Sequence, residues 1–188
     1  MHSRPAGLRQ RAFTLAELLI VVIILAILAA IIVPQFTTTS VDAQESALDA
    51  NLSGLRSAIE LYRVQHGTLY PGAAATTGGT CAATKGTGAA DSAQAFMDSM
   101  LMYSDASGNT CSLGDATTYR FGPYVRKGIP ADPITGKGSL AAEIVVTSTG
   151  AAIAPAAATG GWAYDTLSGQ IVMNSNAVDS RGNAYSAH

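Results

Sequence analysis

Glu17 stands at the entrance of a run, Leu18 to Val33, in which no side chain carries a charge or a strong hydrogen-bonding group, and the next charged residue is Asp42. A carboxylate in hydrocarbon costs at least about 2.5 kcal/mol near the centre of a bilayer and less near its surface. Such a residue needs a positive partner, and a low dielectric makes that pairing strong. The other residues with reactive chemistry are scattered. His2, His66 and His188 are far apart in the chain, and no catalytic triad or metal-ligating cluster emerges. Cys81 and Cys111 form no CxxC pair and have no histidine nearby; they pair in an oxidising compartment or stay two thiols elsewhere. Gly136-Lys137-Gly138, within Gly128 to Ser139, lacks the spacing of a phosphate-binding loop and reads as a turn. Asn51-Leu52-Ser53 matches the bare glycosylation triplet but falls inside a predicted helix, so it is assigned no function. The chain therefore reads as a non-enzyme, with no cofactor and no metal expected.

The elements around Glu17 follow from hydropathy and periodicity. A hydrocarbon core of about 30 Å takes about 20 helical residues, and a helix satisfies its own backbone polar groups in lipid. Arg4, Arg9 and Arg11 precede the apolar run and Arg56 is the first basic residue after it, so the N-terminus is expected in the cytoplasm and the rest outside. An ordinary secretory signal would have a core of roughly 7 to 15 apolar residues followed by a cleavage motif. Here the run is longer and passes straight into a helical pattern: Leu48, Leu52, Leu55, Ile59 and Tyr62 recur on one face, which is expected to lie against a globular head. Asp49, Arg56, Glu60 and Arg63 fall on other faces, with Arg56 and Glu60 placed for a pair four residues apart. One helix from about Thr14 to His66 is expected, stopped by Gly67 and Pro71. Pro34 removes a backbone donor, so a kink or a local loss of helix is expected there.

Beyond the helix, residues 72–93 are rich in Gly, Ala and Thr and read as a surface loop, and Asp91 to Tyr103 as a short helix using Phe96, Met100 and Tyr103. Four strands are expected, at Tyr119 to Arg126, Glu143 to Thr149, Gly161 to Asp165 and Gln170 to Asn174. The last two make a hairpin, with Trp162 and Tyr164 opposite Ile171 and Met173. The fold class expected is α+β: a long N-terminal helix, half transmembrane and half amphipathic, packed on a small antiparallel sheet. A Cys81–Cys111 link would contribute about 2 to 4 kcal/mol. The formal net charge of −2 and the absence of a basic cluster beyond the first eleven residues argue against a nucleic-acid partner.

The stretch Arg11-Ala12-Phe13-Thr14-Leu15-Ala16-Glu17-Leu18-Leu19 resembles the processing site of type IV prepilins. The resemblance implies a type IV pilin-like fold and cleavage between Ala12 and Phe13 by a prepilin peptidase, with Ala12 where the family more often has Gly. Phe13 would then be N-methylated, and Glu17 would act in assembly by pairing with the new amine of Phe13 in a neighbouring subunit. Pro34 sits where many pilins carry a kinking proline. Leu52 to Pro71, Ile129 to Gly136 with Asp132-Pro133, and the hairpin Gly161 to Asn174 are similar to pseudopilins of the type II secretion system, of the major, G-type class. The calcium-binding loop of that class is not recognisable, because Asp165 and Asp179 are too isolated to assign. On this resemblance 1–12 is a leader, 13–36 a transmembrane and filament-core helix, 37–67 the amphipathic half of the spine, and 68–188 the head. The implied partners are further copies in a filament, the peptidase and methyltransferase, an inner-membrane assembly platform and membrane lipid. The alternatives are a type IV pilus subunit for adhesion, motility or DNA uptake, and a signal-anchored extracytoplasmic enzyme or binding protein.

Overall fold

The computed structural model describes residues 13–188, and the side chains of all of these except 33–38. Helix α1 (Leu15–Gln65) belongs to two compact units, one reaching Val41 and the other comprising Asp42–His188. In the first unit every described side chain is exposed. The helix is unbroken at position 34, so the local loss of helix expected at Pro34 does not occur; the Pro34 side chain lies outside the described ones. An interior proline costs a helix about 3 kcal/mol, and α1 continues through it with 19 residues before and 31 after.

In the second unit the fold is α+β. Leu48, Leu52, Leu55, Ile59 and Tyr62 are all buried on α1, and the first four meet Phe96, Met100, Trp162, Tyr164, Ile171 and Met173 in one core. Removing each of these side chains from water contributes about 1.5 to 3 kcal/mol. Gly67 ends the helix with φ +62°, a left-handed conformation that costs glycine little. Arg56 and Glu60 do not form the expected pair. Glu60 binds Arg63 at 2.8 Å, while Arg56, though exposed, donates to the carbonyls of Ile171 at 3.1 Å and His188 at 2.6 Å. Fixed backbone acceptors on the packed head outcompete a mobile carboxylate on the same helix.

Helix α2 (Ala93–Leu101) lies within the expected range and starts at Ser92, whose hydroxyl accepts from the Ala95 N–H at 3.1 Å. Two short strands, β1 (Tyr103–Ser104) and β2 (Thr110–Cys111), pair antiparallel. The main sheet has three strands, β3 (Ile144–Thr147), β4 (Trp162–Asp165) and β5 (Ile171–Met173), in that order. β4 and β5 form the expected hairpin, with Trp162 opposite Met173 and Tyr164 opposite Ile171. Gly169 closes it with φ +71°, where a Cβ would fall 2.2 Å from the Tyr70 ring.

Two expectations need correction. The sheet is mixed, because β3 runs parallel to β4. The intervening residues 148–161 are long enough to carry the chain back to the same end, as a parallel pair requires. Tyr119 to Arg126 is not a strand: Phe121 alone bridges to Ser104, and Pro123 lacks the donor a ladder would use. Of residues 72–93, those before Ala93 are without helix or strand apart from a single bridge of Lys85 to Cys111, yet they are not merely surface, since Thr76 within them is fully buried.

Candidate functional site

The N-terminal turn of α1 is a reciprocal cap. Glu17 accepts from the Thr14 N–H at 2.8 Å and the Thr14 hydroxyl at 2.9 Å through Oε2, and its own N–H donates to Thr14 Oγ1 at 3.2 Å. Thr-x-x-Glu at a helix start satisfies two donors that would otherwise be unpaired. The negative carboxylate also faces the positive end of the helix dipole. Phe13, immediately before the cap, is 79% exposed. Behind it Leu15–Ile32 is long and apolar enough to cross a membrane by length and composition, and none of that stretch is buried within the chain. The arrangement is a carboxylate fixed by geometry at the mouth of an uncovered apolar cylinder. It is suited to taking a cation at the level where an apolar phase begins. Ala12, Arg4, Arg9, Arg11 and His2 lie outside the described residues.

Residues 7–33 match the family described as the prokaryotic N-terminal methylation motif. In its N-terminal third the chain is similar to type II secretion core proteins and a type IV pilus component. It is 33% identical over 61 residues to a type II secretion system core protein G of Pectobacterium carotovorum, which is 32% of this chain and 39% of that protein. It is 41% identical over 58 residues to a type IV narrow pilus major component of Thermus thermophilus, 31% of this chain and 50% of that one. A core protein G of Klebsiella pneumoniae is 33% identical over 63 residues, 34% and 44% of the two chains. The chain thus spans half or less of the length of these curated relatives. No solved structure gives a match.

The chain carries a second set of organised carboxylates in residues 42–188. Asp165, left unassigned on sequence grounds, is fully buried and accepts from the N–H groups of Thr149, Gly150, Leu167 and Ser168 and from the hydroxyls of Thr147, Thr149 and Ser168. Burial alone would raise its pKa; the backbone donors of Thr149 and Ser168 and the two hydroxyls of Thr147 and Ser168 outweigh this and hold it below the usual carboxylate range. Asp132 joins two segments the same way, taking N–H groups from Ile134 at 3.0 Å, Thr135 at 2.6 Å and Gly161 at 2.7 Å. Asp98 collects the residue 76–88 loop through the Thr76 hydroxyl at 2.7 Å and the Thr87 and Gly88 N–H groups at 2.8 and 3.0 Å. Asp179 receives Arg181 and Asn183 N–H groups at 2.9 and 2.7 Å. Each of these acids is spent on folding the loops. Among the described residues no group of three or more His, Cys, Asp or Glu could hold a metal ion.

Cys81 and Cys111 are bonded, with Cα atoms 5.6 Å apart, tying the 72–93 loop to β2. His66 is buried and stacked on Tyr62 at 3.8 Å. Its Nδ1 lies 2.9 Å from the Tyr62 carbonyl, which can only accept, so Nδ1 carries the proton and Nε2 accepts from the Ser104 hydroxyl at 3.0 Å. Burial pushes the imidazole pKa down. Asn51, within the glycosylation triplet, is on α1 and donates to the Ala131 carbonyl at 3.3 Å. Lys137 donates to the Thr159 carbonyl at 2.8 Å, and Gly136 N–H closes on the Asp132 carbonyl, so Gly136-Lys137-Gly138 is a turn. The cap at Thr14 was missed by sequence reasoning, which weighed Glu17 only as a partner for another subunit. The three-residue spacing of Thr14 and Glu17 was the available signal.

Proposed function

We propose that this chain is a pilin- or pseudopilin-type structural subunit, and that its filament is the pseudopilus of a type II secretion system. In this reading a prepilin peptidase removes residues 1–12 between Ala12 and Phe13 and the new N-terminus is methylated. Residues 13–36 hold the subunit in the inner membrane with its N-terminus cytoplasmic, residues 37–67 continue the spine, and 68–188 form an extracytoplasmic head. An assembly platform then draws the subunit out of lipid into a helical filament that drives protein export. One observation carries the proposal: an apolar helix with no cover from its own chain, whose carboxylate is locked in the first turn next to the proposed new amine.

Both halves of the cap lie after the proposed cut, so it survives processing. Glu17 then neutralises the Phe13 ammonium of an adjacent subunit, and docking in that register removes the cost of an unpaired charge in the bilayer. The match to residues 7–33 and the two core protein G relatives support this reading. A type IV pilus subunit is the second reading, favoured by the narrow pilus component at 41% identity. A signal-anchored enzyme would need the span but not a capped Glu17 after Phe13.

Mass spectrometry of the mature N-terminus tests the reading. A methylated Phe13 is expected, together with normal membrane insertion but loss of sedimentable assemblies for Glu17→Ala. An intact Met1, a cut beyond Val33, or wild-type assembly by Glu17→Ala would overturn it. Filaments imaged beyond the cell surface, without an export defect on deletion, would select the pilus instead.

A further inference from the structure

Within the head unit, α1 carries two recesses on different flanks. One, of about 230 Å³, is a groove lined by Ala50, Asn51, Gly54, Leu55, Val125 and Pro130. Gly54 leaves it open, since a Cβ there would meet nothing within 4 Å. Arg126 and Lys127 follow Val125 directly, are exposed, and make no hydrogen bond or ion pair among the described residues. The other recess, of about 280 Å³, is lined by Asp42, Glu45, Ser46, Asp49, Arg181 and His188. Three carboxylates there face one guanidinium and one imidazole, so it is net negative. Glu45 is held by the Ser180 N–H and hydroxyl, both at 2.7 Å, and Asp49 by His188 at 2.7 Å, although the Asp49 side chain is still 61% exposed. The Asp42 carboxylate is exposed and makes no such bond among the described residues.

At about 100° per residue the two sets of α1 residues lie roughly 160° apart around the helix. One molecule therefore cannot bring its unpaired cations to its own acidic recess. A two-fold dimer would need both patches on one shared face to pair them reciprocally, which a separation of roughly 160° does not offer. Two complementary surfaces on opposite sides of one rigid element satisfy each other in a heterologous contact, which propagates as an open helix wherever its rotation does not close a ring.

We propose that these flanks are the docking surfaces between the globular heads of successive copies of this chain: Arg126 and Lys127, at the rim of the apolar groove, enter the Asp42–Asp49 recess of the next copy. The inference rests on the filament reading and supplies its contact outside the membrane. The charges set register and partner choice, while the groove of Ala50, Gly54, Val125 and Pro130 lets the second surface approach closely.

The test is a charge exchange in the full chain, read as sedimentable assemblies. Asp42→Lys/Ser46→Lys and Arg126→Glu/Lys127→Glu each avoid the Glu45–Ser180 and Asp49–His188 contacts. Each pair is expected to lower assembly about tenfold, and all four changes together to restore it to within about twofold. The melting temperature of each head, compared with wild type, separates lost contact from lost folding; should the reversals unfold it, Asp42→Asn with Lys127→Gln is used, with a loss of about threefold expected. Unchanged assembly in folded variants, or no restoration on combining them, overturns the docking surfaces and leaves the filament reading intact. A wild-type chain that is processed at Phe13 yet never assembles overturns both.

Discussion

The two halves of α1 obey the same backbone rules and end in opposite environments. From Leu18 to Ile32 the side chains are apolar and exposed, and what fixes the start of the helix is the cap between Thr14 and Glu17. From Asp42 onward one face is buried completely, at Leu48, Leu52, Leu55, Ile59 and Tyr62, and the loops that cover it are gathered by buried carboxylates. The head completes its own core; the first half finds its cover outside the chain. A segment that is finished as a helix and unfinished as a surface is what a membrane or a bundle of copies requires.

The comparison breaks first at the core. Trp162→Ala, which removes a fully buried ring and its 2.8 Å bond to the Pro130 carbonyl, should destabilise the head by about 3 to 5 kcal/mol. Ile24→Ala, in the uncovered half, should leave the melting temperature of the head unchanged; a comparable fall for both would mean the two halves are not energetically separate. Asp165→Asn should cost less, about 1.5 to 3 kcal/mol, because an amide leaves several buried donors without a charged acceptor. Its folded pKa is depressed, so its contribution is complete above the unfolded value of about 3.9 and is lost as pH falls toward the folded pKa. Acid titration of the melting temperature should therefore be flatter in the variant, and an unaltered acid limb would assign the stabilisation elsewhere. A smaller loss than at Trp162 or Asp165 belongs to Thr14→Ala, about 1 kcal/mol of local helix stability. Helicity of the 13–36 segment in micelles should fray at its first turn while the head is unaffected.

Much of this fold could be read in the chain. The α1 range and its buried stripe were legible because an apolar period of 3.6 is a local signal, and the β4–β5 hairpin because alternation and turn residues adjoin. The parallel placement of β3 was not, since the path of residues 148–161 leaves no mark on the strands it joins. Nor were the roles of Asp165 and Asp132, whose donors come from segments such as Thr149 and Gly161 that only the folded chain brings near. Tyr119 to Arg126 has the composition of a strand but contains Pro123, and composition alone outweighed the missing donor. At Glu17 the residue was found and half its geometry overlooked.

The bond between Glu45 and Ser180 spans 135 positions, and Arg56 reaches His188 across 132. The spine of the head is therefore made early and clasped late. Until the residues up to Met173 have been synthesised, the Leu48–Ile59 stripe lacks part of the core that covers it, so prematurely terminated products should be rapidly degraded. Quality control of this chain is thereby linked to completing its last residues, which clasp the spine.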